Sequence, residues 1–312
     1  MQIARYQRET GPRLGLVRQD AVFDLATLAR RSGRPDVEAL LPCFSQGDTQ
    51  GLLEHAGGLD RVAELAADLL AQPEPRPSDQ GIPLAEVTLL NPLPNPGKIL
   101  CLAGNYYEGG APHDIDKTVC TPRIFSKPNT CLIGPEEEIR VPPLAATVVP
   151  EIELAVVIGR RGRDIPLGEA EGYICAYTIF NDVSARRLNL APVRRGQPWD
   201  EVFDWLNGKW FDTFGAVGPV LTLKSALPDA GNLDLVCRVN GRVRDQGSTA
   251  NMIFTPADII AFISQITTLE PGDLIATGTA IHAEEEVPLE SGDIVEGEIT
   301  GLGTLRNRVL RR

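Results

Sequence analysis

A mostly β, α+β fold with few helices is what this 312-residue sequence predicts. Short apolar runs of strand length recur from about residue 85 onward. Two of them are introduced by the same turn chemistry, Pro271-Gly272-Asp273 and Ser291-Gly292-Asp293. Helical periodicity is confined to a few segments. The length allows one large domain, or one plus a smaller partner.

Taken in order, residues 1–80 read as a small N-terminal α+β unit. IARY, RLGLV and AVFDL are short strand-like segments broken by turn residues, a β-meander pattern. Two helical stretches follow; in the clearer, Leu59, Val62, Leu65, Ala66 and Leu69 recur at helical spacing. The Pro-rich QPEPRPSDQGIP is expected to be a linker. Residues 81–312 form the second unit. KILCLAG, EIELAVVIG, YICAYTIFND, DLVCRVNGRV, DLIATGT and DIVEGEI read as strands. Asn240-Gly241 signals a hairpin. Thr255 as N-cap, Pro256 at the first helical position, and Ile259, Ile260, Ile263 and Ile266 on one face signal a helix. The strands are expected to close, or nearly close, on themselves to protect their edges.

Composition narrows the function. The net charge of −12 argues against nucleic acid or an anionic membrane as partner. No apolar run approaches the ~18 residues that span a bilayer, and the first residues hold no apolar secretory core, so a cytoplasmic location is expected. Cys43, Cys101, Cys120, Cys131, Cys175 and Cys237 contain no C-x-x-C pair and read as reduced cysteines, mostly filling the core.

The chemistry-bearing residues are acids. In a strand running from Glu151 to Ile158, Glu151, Glu153, Ala155 and Val157 share one face, and Ile152, Leu154, Val156 and Ile158 the other. Both faces are apolar further along, so the strand reads as buried on both sides. Two carboxylates at its end then need compensation, and a divalent cation supplies it. Oxygen-only ligands suit Mg²⁺, Mn²⁺ or Ca²⁺ over zinc. On these two residues alone the signal is weak, and an exposed strand start is the simpler reading. Asp182, ending the apolar run YICAYTIF-Asn181, is a third acid at the end of a buried-looking strand; taken alone it also fits a turn or the N-cap of a helix begun by Val183-Ser184-Ala185-Arg186.

The ordered set EIELAVVIGRRGRDI, YTIFNDVSARRLN, LNGKWFDTFGAVGP, VNGRVRDQGSTANMIFTPADIIAFISQITTLEPGDLIATGT and GDIVEGEITGLGTLRNRV resembles the catalytic domain of the fumarylacetoacetate hydrolase family over about residues 95–310. The resemblance implies a mixed β-roll, a homodimer, and metal ligands at Glu151, Glu153 and Asp182. It also implies a lysine beside the metal at Lys209, a pocket lined by Thr277, Gly278 and Thr279, and a recurrent lysine at Lys127. Arg123 and Lys127 are candidates to clamp a substrate carboxylate. Many members carry N-Y-x-x-H-x-x-E on a mobile lid. Here the histidine position holds Gly109, and His113 follows with Asp116 at H-x-x-acid spacing. Either a longer lid delivers His113 as base and Asp116 as its orienting carboxylate, or His113 is an ordinary loop histidine. His282, after the T-G-T motif, is a further pocket candidate. His55 reads as a surface residue, Arg160-Arg161-Gly162-Arg163 as a solvated turn, and Trp199, Trp205 and Trp210 as core packing near Lys209.

The activity so implied is metal-dependent C–C bond hydrolysis of a small anionic 2-oxo acid, of the acylpyruvate type, through a stabilised enolate. Isomerisation, tautomerisation, hydration or oxaloacetate decarboxylation at the same site is the alternative. A non-catalytic binding relative is an alternative of another class.

Overall fold

The computed structural model describes residues 1–71, 81–107, 117, 119–190, 196–227, 229–280 and 287–312. The chain opens with the meander β1 (Gln2–Arg8), β2 (Gly11–Arg18) and β3 (Ala21–Asp24), as the alternation predicts. Asp24 then caps α1 (Leu25–Ser32), its Oδ1 accepting from the Thr27 N–H at 2.7 Å, and Gly33 ends the helix at φ 61°. Helices α2 (Pro35–Glu38), α3 (Leu41–Gln46), α4 (Thr49–Glu54) and α5 (Gly58–Ala71) follow. Sequence periodicity predicts two helical stretches here; the structure has α1 to α5. The extra ones are single turns or two, set off by Pro and Gly, too short to carry a periodic signal.

Beyond residue 81 the strands are β4 (Ile82–Pro83), β5 (Leu89–Leu90), β6 (Ile99–Ala103), β7 (Arg123–Ser126), β8 (Leu132–Ile133), β9 (Glu138–Val141), β10 (Val148–Val149), β11 (Ile152–Ile158), β12 (Ile174–Asp182), β13 (Ser184–Ala185), β14 (Gly215–Leu223), β15 (Asp234–Val239), β16 (Arg242–Ser248), β17 (Leu274–Thr279), β18 (Ile294–Ile299) and β19 (Gly303–Arg311). Interleaved helices are α6 (Leu167–Ala170), α7 (Asp200–Lys209) and α8 (Pro256–Ile266). The expected turn devices are present. Asn240 and Gly241 carry φ of 55° and 73°, as the β15–β16 hairpin requires. In both x-Gly-Asp turns the aspartate Oδ2 accepts a backbone N–H at 2.8 Å, from Glu270 to Asp273 and from Glu290 to Asp293. Thr255 and Asp258 close a capping box on α8, with Pro256 at its start.

The large sheet runs β4-β3-β2-β1-β14-β12-β11-β17-β6-β7. Its N-terminal strands are thus hydrogen-bonded to the rest, with Gln2 opposite Thr222. Of the expected linker, residues 72–80 lie outside the described residues; its last two form β4, paired with β3. A second sheet runs β16-β15-β18-β19-β9. The two sheets share one core. Ile152, Leu154, Val156 and Ile158 pack with Leu235, Cys237, Val295 and Ile299. The approach is so close that a Cβ on Gly297 would lie 2.6 Å from the Ile152 side chain. Side chains of the other parity, Ala155, Val157, Ala276 and Phe180, join a second core with α1 to α5. Strand β11 is therefore buried on both faces, as its sequence implies. Each Val or Ile so buried contributes roughly 1.5–3 kcal/mol before entropy.

Closure is achieved by the chain rather than by a complete ladder. Strand β7 edges β6 on one side of the large sheet. A short turn at Asn129–Cys131 then leads into β8, which pairs with β14 on the other side. Residues 123–133 so wrap the row β14-β12-β11-β17-β6 into a roll. The ends of β11 and β12 face its inside.

Candidate metal and oxo-acid site

Three local features place the acids. Glu151 immediately precedes β11, held there because its N–H donates to Asn181 Oδ1 at 3.0 Å. Glu153 is the second residue of β11, on the parity that faces the inside of the roll. Asp182 ends β12, and its N–H donates to the Glu151 carbonyl at 2.8 Å. One carboxylate oxygen from each of the three lies within 4.8 Å of the others, and all three residues are buried. The alternative readings of these acids, an exposed strand start and a helix N-cap, do not hold. Residues 184–185 form β13, paired with β10, because Val183 and Ala185 are buried and the backbone finds strand partners there.

Two ammonium groups meet the acids. Lys209, the last residue of α7, sends Nζ to within 2.7 Å of Glu151 Oε2 and 2.6 Å of Asp182 Oδ2. The helix is held close by Gly208, where a Cβ would lie 2.2 Å from the Ala185 carbonyl oxygen. The Phe125 and Trp205 rings flank that ammonium, their centroids 5.3 and 5.7 Å away. Lys127 donates to Asp182 Oδ1 at 2.5 Å and to the Val183 carbonyl at 3.4 Å, with its side chain fully buried. Lys127, read from sequence as a substrate clamp, here holds a carboxylate of the protein itself. Burial opposes the charge on Lys209, but Asp182, Glu151 and Glu153 outweigh it and raise its pKa, so it stays an ammonium. Burial alone would raise Asp182; Lys127 and Lys209 bring it below the ordinary range.

Glu153 differs from both. Burial first, then the charges of Asp182 and Glu151, push its carboxyl well above the usual carboxylate range. Its Oε2 accepts the Gly278 N–H at 2.7 Å. Its Oε1 is buried and without a hydrogen-bond partner. An orphaned carboxylate oxygen costs several kcal/mol unless a cation or proton meets it. Together with an all-oxygen donor set, this fits a hard divalent ion such as Mg²⁺ or Mn²⁺. Gly278 serves here because its φ is 90° and an added Cβ would lie 3.1 Å from Asn105.

Other predicted residues fall as follows. The Thr279 hydroxyl donates to the Ile152 carbonyl at 3.2 Å beside Glu153, while Thr277 is fully buried and donates to the Leu154 carbonyl. Arg123 is exposed at the end of β7. His113, Asp116 and His282 lie outside the described residues. Trp199 and Trp210 are exposed rather than core; Trp210 instead donates Nε1–H to the Ser126 carbonyl at 2.7 Å. Trp205 alone packs as expected, edge-on to Phe125. The cysteines are free, and Cys101, Cys131 and Cys237 are buried.

Sequence reasoning missed Arg186 and Ser184. Arg186 Nη2 lies 2.9 Å from Glu151 Oε1, and the Ser184 hydroxyl donates to the same oxygen at 2.9 Å. A signal was available: Asp182, Ser184 and Arg186 alternate and share a face once the chain past 182 is read as extended. Asn105 was also missed as a positioning residue. Its buried amide donates to the Thr277 and Phe254 carbonyls and accepts the Phe254 N–H, fixing the strand that carries Gly278.

Among the described residues no helix is long and apolar enough to cross a membrane. Residues 98–310 match the family model described as fumarylacetoacetate (FAA) hydrolase C-terminal. Human "Oxaloacetate tautomerase FAHD2A, mitochondrial" is 39% identical over 236 residues, 73% of this chain and 71% of that protein. Maleylpyruvate hydrolase from Sphingobium sp. SYK-6 is similar over the whole of both chains, at TM-score 0.74 and 27% identity. A structure of that hydrolase in complex with manganese(II) ion and pyruvate matches at TM-score 0.74 and 26% identity, over 100% of this chain and 99% of that one. Mycobacterium smegmatis 5-carboxymethyl-2-hydroxymuconate delta-isomerase matches at TM-score 0.69 and 28% identity, over the whole of both chains. With its ordered motifs, its α+β roll and a family match spanning most of its length, the chain belongs to the fumarylacetoacetate hydrolase family, whose members act as hydrolases, isomerases or tautomerases on small oxo acids.

Proposed function

We propose that this protein interconverts the keto and enol forms of a small 2-oxo dicarboxylic acid held at a divalent cation bound by Glu151, Glu153 and Asp182. The observation that carries this is the unpartnered Glu153 Oε1 inside a buried three-acid cluster whose other oxygens are already met by Lys209, Lys127, Arg186 and backbone. The likeness to oxaloacetate tautomerase supports the choice of reaction.

Formal charges favour a dianion. Three ionised acids are balanced by Lys127, Lys209 and Arg186, so a divalent cation leaves +2 over the cluster. When bound, that cation supplies Lewis-acid stabilisation for the charge that develops on the 2-oxo oxygen, worth several kcal/mol of barrier. The protein's own groups do the rest. Lys127 and Lys209 hold Asp182 from both sides, so the ligand oxygens are placed before substrate arrives. Lys209, an ammonium held against Glu151 and Asp182, is placed to stabilise developing negative charge. Phe125 and Trp205 keep water from its ammonium and strengthen its field.

C–C bond hydrolysis, the first reading from sequence, is the second reading here. The likeness to maleylpyruvate hydrolase favours it. In that reading His113 takes a proton from water and Asp116 orients the ring. The two are separated by following the ultraviolet absorbance of the oxaloacetate enol, and cleavage of an acylpyruvate, with Mn²⁺ or Mg²⁺ and with Glu153→Ala as control. The proposal expects enol loss accelerated at least ~10²-fold by the native protein alone. Acylpyruvate cleavage without accelerated enol loss would overturn it in favour of hydrolysis.

A further inference from the structure

The geometry points to Arg123 as a specificity-determining residue that takes the distal carboxylate of a dicarboxylic substrate, resting on the reading above that the acid cluster binds the 2-oxo acid end. Strand parity supplies the first support. Arg123, Phe125 and Lys127 alternate along β7 and its continuation, so they share a face. Two of the three look at the acids: Lys127 Nζ lies on Asp182, and the Phe125 ring stands 5.3 Å from Lys209 Nζ. Arg123 shares that face by parity and is exposed where Phe125 and Lys127 are buried.

Register supplies the second. Arg123 lies opposite Ala103 in β6. Ala276 lies opposite Cys101, which sets Gly278 beside Ala103. Thr279 in turn lies opposite Glu153. The row from Arg123 therefore passes over Ala103 and Gly278, two small residues, and the Gly278 N–H in turn donates to Glu153 Oε2 at 2.7 Å. Next to Ala103, a Cβ on Gly104 would come within 3.3 Å of Arg123 Nη1, so the guanidinium rests directly over that glycine. A cavity of about 90 Å³ opens beside it, its described lining including Ala103, Asn105, Arg123 and Phe254. Among the described residues no carboxylate lies within ion-pairing distance of Arg123. A guanidinium presents a planar fork matched to a carboxylate.

The test is calorimetric titration of the Mn²⁺-loaded protein with oxalate, which reaches only the cation, and with 2-oxoglutarate, which carries a second carboxylate. Native protein, Arg123→Ala and Arg123→Lys are compared. The inference expects Arg123→Ala to weaken 2-oxoglutarate about 10-fold or more while oxalate is unchanged, with Arg123→Lys intermediate. An equal loss for both ligands, or no loss for either, would overturn it. Oxalate failing to bind the native protein would overturn the reading it rests on, and this inference with it.

Discussion

Lys209 Nζ stands 2.7 Å from Glu151 Oε2 and 2.6 Å from Asp182 Oδ2, so one ammonium ties together acids from the ends of two strands. Lys209→Met is expected to lower turnover by about 10²–10³-fold, the effect of removing one preorganised electrostatic group. It is also expected to cost about 3–5 kcal/mol in urea unfolding of the metal-free protein, because two buried carboxylates lose a shared partner. Unchanged kcat in a folded Lys209→Met protein would remove Lys209 from the chemistry.

Chelation should be visible in stability. A cation that binds only the native state adds about 2.7 kcal/mol at a hundred times its Kd. Thermal unfolding in Mn²⁺ against chelator is expected to show a raised Tm for the native protein and none for Glu153→Gln. An equal rise in both would place the stabilising ion elsewhere.

How much of this was legible in the sequence follows from which forces act locally. Strands β6, β11, β12, β15, β17 and β18, helix α8 and the Asn240-Gly241 hairpin were readable because periodicity, capping and turn chemistry are written in adjacent residues. Strand β14 was not read, though it joins β1 to β12: Gly215, Gly218 and Pro219 look like breakers. Its place rests on distant partners, such as the Thr178 hydroxyl, 2.9 Å from the Val220 carbonyl it bonds. The three acids were found through family motifs reinforced by burial on both strand faces. The part of Lys127 was not, since only the return of residues 123–133 across the roll carries its ammonium to Asp182. No local pattern encodes such a closure.

The pH dependence has two opposed parts in the metal-free protein. Glu153, raised by burial and then by Asp182 and Glu151, binds its proton more tightly when folded. Stability from that protonation is present at low pH and lost as pH rises from about 4.3 through the raised value. Asp182 is raised by burial but brought lower on balance by Lys127 and Lys209. Its contribution is present above about 3.9 and lost as pH falls through the lowered value. A bound cation displaces the Glu153 proton, so Mn²⁺ stabilisation should grow as pH rises from about 4.3 toward the raised value. Tm measured with and without Mn²⁺ across that range checks it; a flat increment would contradict it.

Gly278→Ala places a methyl 3.1 Å from Asn105 at a residue whose φ is 90°. A loss of about 1–3 kcal/mol is expected from the strained backbone. Mn²⁺ affinity should fall as well, because the Gly278 N–H orients Glu153. Paired urea and calorimetric titrations separate the two; a stability loss with unchanged affinity would mean that this hydrogen bond does not position the ligand.

The most direct measurement is an anomalous difference map from crystals grown with Mn²⁺ and oxalate. One peak is expected about 2.0–2.6 Å from an oxygen of each of Glu151, Glu153 and Asp182, with Glu153 Oε1 among them. A peak away from these residues, with Lys209 still closing the cluster and Glu153 Oε1 still unmet, would contradict this assignment.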